Sequence, residues 1–269
     1  VQEILDASPA SDWRPIDPNN TIYMDLPTGR VVIELAPEYA PNHAANIRAL
    51  ARAHFFDGGR ILRSQENYVV QWGRPDDDPA PLGAAQELVE GEVARPRAGV
   101  EFTALADPDT YAPEVGFSNG FPVARNNELI WMTHCYATVG SARGDGLGSG
   151  NGGSLYVIIG QSPRNLDRNI TLVGRVVRGM ELLSVQPRGT GALGFYENVT
   201  TEGALIASVR VAADVPAAER ANLETLRTNS ATFAAVIDAQ RTRRATWFVE
   251  PVNRLGVCNT SAAVRDVAH

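Results

Sequence analysis

The residues best suited to chemistry in this chain lie in one run, 56–73. Arg63 and Gln71 stand eight positions apart, with Tyr68 between them. Arginine brings a planar fork of donors that stays charged, glutamine an amide that both donates and accepts, and tyrosine a flat apolar face with a polar tip. Such a set suits hydrogen bonding and electrostatic stabilisation rather than covalent catalysis. Taken alone, an arginine in a strand is ordinarily a solvated or ion-paired surface residue, so the surrounding pattern has to carry the reading.

That pattern reads as turn, strand, tight turn, strand. Asp57-Gly58-Gly59 turns the chain, residues 60–64 extend, and residues 69–73 return. Upstream, residues 22–26 and 31–35 form a hairpin around Pro27-Thr28-Gly29. Pro41 opens a helix in which Ala44, Ile47, Leu50 and Ala51 recur at helical spacing, and Gly58 lies past its end. Residues 1–20 read as an irregular arm anchored by Trp13. Residues 74–130, punctuated by Pro79, Pro81 and Pro113, read as an enlarged surface excursion with one or two short strands. Residues 206–211 read as a last strand. Beyond Pro216, residues 217–227 and 231–241 read as two helices, followed by an apolar tail through Trp247 and Cys258.

Composition narrows the function classes. The chain has 269 residues, 44% of them hydrophobic, which is ample for a sizeable core. A net charge of −7 argues against a nucleic-acid scaffold. All 24 basic residues are arginine, which reads as composition bias. No run approaches the roughly 18–20 apolar residues of a transmembrane segment. The glycine-rich stretch 144–153 lacks the Gly-Lys-Ser/Thr ending of a phosphate loop, and Asp76-Asp77-Asp78 lacks the alternating spacing of a metal loop. No metal and no cofactor are expected.

The run 56–73 resembles, without a gap, the active-site strand pair of the cyclophilins, the peptidyl-prolyl cis-trans isomerases. The resemblance runs from about residue 22 to residue 73. It resumes at 133–143, at 154–160, and at Leu166-Asp167 followed by 172–180. On this resemblance Arg63 is the catalytic arginine and Gln71 binds the substrate backbone. Tyr68, Val69, Val157, Leu166 and Ile170 line the proline slot, while Arg143 and Leu155 contact the peptide. Leu62 stands where the family usually has histidine, Val69 where it has methionine, Leu155 where it has glutamine, and Asn165 where animal members have tryptophan. The resemblance therefore implies isomerase activity that is weak or narrowed.

It also implies a mainly β fold: a closed eight-stranded antiparallel cyclophilin-like β-barrel capped by two helices. The expected organisation is an N-terminal arm, 1–20; the barrel, 21–213, with the insertion at about 74–130; and a helical C-terminal extension, 214–269, docking on the barrel. The implied function is rotation about X–Pro bonds in proline-containing peptides or unfolded client proteins. The alternative is a catalytically degenerate module that binds proline-containing segments or an envelope partner. Two distant cysteines, Cys135 and Cys258, make neither a redox motif nor a zinc site. Their expected disulfide points to a bacterial periplasmic or secreted protein with its signal peptide removed. Two free thiols in a cytoplasmic protein are the alternative.

Overall fold

The computed structural model describes residues 1–267, which divide into two compact units. One comprises Asp17–Ala94 and His134–Arg220; the other comprises Val1–Ile16, Arg95–Thr133 and the described residues from Ala221 onward.

The first unit is built on eight antiparallel strands. These are β1 (Thr21–Leu26), β2 (Gly29–Leu35), β3 (Arg60–Ser64), β4 (Val69–Gly73), β5 (Thr138–Ser141), β6 (Ser154–Ile158), β7 (Leu172–Arg178) and β8 (Ser208–Val211). Their order across the sheet is β8-β1-β2-β7-β5-β6-β4-β3. The sheet curls but does not close strand to strand, which corrects the expected closed barrel. Between its edges the backbone is irregular: Gly58 N–H donates to Ile206 C=O at 2.9 Å and Ile61 N–H to Ala204 C=O at 2.9 Å. Ala204 and Ile206 precede β8, so loop backbone stands where an eighth strand pairing would be needed to close the sheet.

The concave side holds the main core, with Met24, Val31, Ile47, Leu50, Trp72 and Val157 all no more than 1% exposed. Each such side chain stabilises the fold by about 1.5–3 kcal/mol relative to exposure. Helix α1 (Pro41–Arg52) contributes Ala44, Ile47, Leu50 and Ala51 to it, as their spacing predicts. Ala40, at the N-cap, has no side-chain oxygen to satisfy the first amides. Glu92 does so instead. Its carboxylate accepts from the Asn42 and His43 amides, each at 2.9 Å, and meets the His43 ring Nδ1 at 2.8 Å. The second helix, α2 (Met180–Ser184), is short and buries Leu183.

The second unit holds two further antiparallel sheets. A three-stranded sheet pairs Trp13–Pro15 and Val264–Asp266 on either side of Leu223–Leu226. A five-stranded sheet runs Arg95–Pro96, Leu129–Met132, Phe121–Arg125, Glu114–Ser118, Thr103–Leu105 in spatial order. The excursion is thus far richer in strands than expected. The C-terminal segment departs from the expected helix pair as well. Residues 231–242 are helical, Ala231–Thr242, but Leu223–Leu226 is a strand in which Leu223 and Thr225 bury with half-buried Glu224 between them, and Leu226 is buried as well. Pairing with a strand on each side overrides helix propensity there. The expected irregular arm contains a short helix, Gln2–Asp6, and the strand that buries Trp13.

Cys135 and Cys258 are both disulfide-bonded, and no free cysteine occurs among the described residues. No described helix is long and apolar enough to cross a membrane.

Candidate functional site

Arg63 owes its orientation to an irregularity in β3. Ile61 pairs with Trp72, and both face the core. One step along β4 reverses the face and reaches Gln71. Strict alternation along β3 would reach Leu62 at the same level. Instead the register shifts between Ile61 and Arg63, and Arg63 pairs with Gln71. The extra residue works as a β-bulge does: it re-aims a side chain that would otherwise share the face of Ile61. Ser64, paired with Val70, then returns to the buried side.

The guanidinium of Arg63 is held by two hydrogen bonds and two aromatic rings. Nε donates to the Leu193 carbonyl at 2.6 Å, and Nη2 donates to Gln65 Oε1. The ring of Tyr68 lies 5.4 Å from the guanidinium carbon and that of Phe195 lies 5.2 Å away. Partial burial lowers the Arg63 pKa, opposed by Tyr68, yet an arginine so placed stays protonated. No carboxylate lies within ion-pair reach of Arg63 among the described residues. The charge is therefore anchored by neutral oxygens and left uncompensated.

Beside it lies an apolar patch. Val69, Tyr156 and Ile158 form its floor, and half-buried Tyr68, Ala142 and Ile170 pack against them. The pairing of β4 with β6 explains the grouping. Val69 sits opposite Ile158 and Gln71 opposite Tyr156 on this face. Val70 sits opposite Val157 and Trp72 opposite Leu155 on the core face.

Tyr68, Val69 and Ile170 therefore come together next to Arg63. Val157 and Leu155 do not. They are 0% and 3% exposed and belong to the main core, and their neighbours Ile158 and Tyr156 lie on the patch instead. A shift of one residue moves every side chain to the opposite face. Gln71 Nε2 donates to Ser154 Oγ at 3.1 Å and stays half-exposed. Leu166 is half-buried on the turn Arg164–Leu166 and is not among the residues packed on the patch. Arg143 ties two loops together, donating to the Asn169 carbonyl from Nε and Nη2 and to the Gly144 and Asp145 carbonyls from Nη1.

Behind the patch runs a buried polar chain absent from the sequence reading. Asp167 accepts from Arg164 Nε at 2.5 Å and from the His134 backbone amide at 2.9 Å. Its Oδ1 also lies 3.0 Å from His134 Nδ1. A carboxylate only accepts, so Nδ1 carries the proton and Nε2 accepts from the Tyr156 hydroxyl at 3.1 Å. Burial pushes the Tyr156 phenol far above its ordinary value, so it remains a donor. Gly140 makes room for this ring, since a Cβ there would lie 2.3 Å from Tyr156 Cζ. The chain fixes the Tyr156 ring, and so the floor of the patch.

Comparisons with known proteins bear on the family and the fold. The family model described as cyclophilin type peptidyl-prolyl cis-trans isomerase matches residues 21–210. A probable peptidyl-prolyl cis-trans isomerase of Brucella suis is 27% identical over 65% of this chain and 76% of its own length. The human peptidyl-prolyl cis-trans isomerase-like 1 is 32% identical over a shorter stretch, 26% of this chain and 39% of that protein. Among solved structures, the cyclophilin AquaCyp293 from Hirschia baltica superposes with a TM-score of 0.75 at 24% identity. That likeness covers 95% of this chain and 94% of the other, so both units share its fold.

Proposed function

Because the chain belongs to the cyclophilin-type peptidyl-prolyl cis-trans isomerases, we propose that Arg63 is the residue with which it rotates X–Pro peptide bonds. The barrier to that rotation, near 20 kcal/mol, comes from the double-bond character of the amide. Twisting the bond localises a lone pair on the prolyl nitrogen. A fixed donor aimed at that nitrogen favours the twisted state over both planar ground states. Arg63 has five N–H donors and engages two of them, which leaves three.

The pyrrolidine ring seats on Tyr68, Ala142 and Ile170 above the floor of Val69, Tyr156 and Ile158. Gln71 and Arg143 hold the flanking backbone of the peptide. The observation that carries this reading is an uncompensated, multiply anchored guanidinium beside an apolar patch. The clients are proline-containing segments of unfolded proteins. The oxidised cysteines support an oxidising compartment, the periplasm of a bacterium.

A second reading is a binding module that recognises proline-containing segments without useful catalysis. The engagement of two Arg63 donors by Leu193 and Gln65 favours it. A protease-coupled assay on a proline peptide separates the two. Catalysis by Arg63 predicts that Arg63→Ala lowers the rate by roughly 10²–10³-fold, the scale for losing one preorganised donor. Equal rates for wild type and variant, both above the uncatalysed rate, would remove Arg63 from its role. Peptide binding with no acceleration by wild type supports the module.

A further inference from the structure

The backbone of residues 189–196 lies along the free edge of β3 as a strap. Gly189 N–H donates to Ser64 C=O at 2.9 Å and Tyr196 N–H to Leu62 C=O at 3.1 Å, so the strap is pinned on both sides of Arg63. Between these pins Phe195 pairs with Arg63 as an isolated antiparallel bridge. Leu193 and Gly194 both adopt left-handed backbone, at φ 55° and 78°. For leucine that conformation is uncommon and costs on the order of 1 kcal/mol or more. Gly194 is required twice over, since a Cβ there would fall 2.7 Å from Gln65 Cα. The result of this costly turn is specific: the Leu193 carbonyl accepts from Arg63 Nε, and the Phe195 ring covers one guanidinium face. Phe195 itself is 38% exposed, so core packing does not account for its placement.

We propose that Phe195 is a positioning residue of the isomerase site: the strap holds the Arg63 guanidinium between the Phe195 and Tyr68 rings in the orientation that meets the prolyl nitrogen. The proposal rests on the reading of Arg63 as the catalytic residue. A guanidinium over an aromatic ring within about 6 Å is held by the ring quadrupole as well as by contact. Leucine keeps the apolar bulk and loses the quadrupole, whereas tyrosine keeps both.

The test measures kcat and KM on a proline peptide for wild type, Phe195→Leu, Phe195→Tyr, Arg63→Ala and the double variant Arg63→Ala/Phe195→Leu, with thermal melts confirming that each is folded. Phe195→Leu is expected to lower kcat by about 3–5-fold at unchanged KM, the range for a partly exposed cation–π contact. Phe195→Tyr should stay within about twofold of wild type on the same basis. The double variant should be no slower than Arg63→Ala alone, because Phe195 acts through Arg63. A wild-type kcat in Phe195→Leu, a change confined to KM, or a further loss in the double variant would each overturn the proposal. Full activity in Arg63→Ala would instead overturn the reading beneath it. Should Phe195→Leu fail to fold, the wild-type protein decides the matter by NMR. A slowly exchanging Arg63 Nε–H supports the strap contact, and exchange at the rate of a free arginine overturns it.

Discussion

Arg63 and Arg175 project from strands of the same curled sheet, and their surroundings are opposite in kind. Arg175 on β7 is 6% exposed and meets Glu34 on β2, itself 4% exposed, through Nε at 3.0 Å and Nη2 at 2.9 Å. Arg63 meets a backbone carbonyl, a side-chain amide and two rings. The first arrangement cancels the positive charge and makes it part of the framework. The second fixes the position of the charge without cancelling it. A residue type alone thus decides nothing; what separates these two arginines is whether the partner is ionic or neutral.

Substitution at Arg175 gives the largest expected effect. Arg175→Ala withdraws the guanidinium from a buried carboxylate and should cost about 3–5 kcal/mol of stability. Urea denaturation measures it, and a loss under 1 kcal/mol would erase the distinction from the structural side. Arg63→Ala should show the reverse profile, with the activity loss given above and a stability change within about 1 kcal/mol for a half-buried group without an ionic partner.

Tyr156→Phe probes the floor of the patch. It keeps the ring but leaves His134 Nε2 buried without its donor, for an expected cost of about 1–3 kcal/mol and little change in kcat. A variant as stable as wild type would show that the chain from Asp167 through His134 to Tyr156 fixes nothing.

The smallest effect is pH-dependent and belongs to the framework. Burial pushes the Asp57 carboxyl up, but hydrogen bonds from Arg210, His54 and the Val209 amide outweigh it, so its pKa lies below the ordinary 3.8. The folded form therefore gains stability from Asp57 above that value and loses it as pH falls toward the folded pKa. Asp57→Asn should flatten the acid limb of the stability curve below about pH 4 by no more than about 1 kcal/mol, since the pair is only half-buried and solvent screens it. An unchanged slope in acid denaturation would assign that limb to other carboxylates.

The resemblance at 56–73 made the strand pair and the place of Arg63 legible, together with Tyr68 and Val69, and the later match around 166–180 did the same for Ile170. The face of β6 was not legible, for a physical reason. Leu155, Tyr156, Val157 and Ile158 are apolar without a break, so alternation cannot tell core from patch. Only the pairing of Gln71 with Tyr156 settles the register. The five-stranded sheet carried a readable sign, the Asn119-Gly120 pair, which turns with both residues in left-handed backbone at φ 49° and 88°. Pro122 masks it by sitting inside the following strand, Phe121–Arg125. The strap left almost no trace. Its effect on Arg63 depends on a carbonyl direction, and Gly189, Gly191 and Gly194 read only as loop.

The capping of α1 by Glu92 has a kinetic side. A helix that carries its own cap can begin from local sequence alone. This one finds its first-turn acceptor 49 and 50 residues downstream, at His43 and Asn42 respectively. Forming the start of the helix thus requires closing a long stretch of chain, which raises contact order and slows folding. The same dependence runs backwards in the native state. Whenever the segment bearing Glu92 detaches, the amides of Asn42 and His43 lose their acceptor together, so the three should report a single opening event in hydrogen exchange.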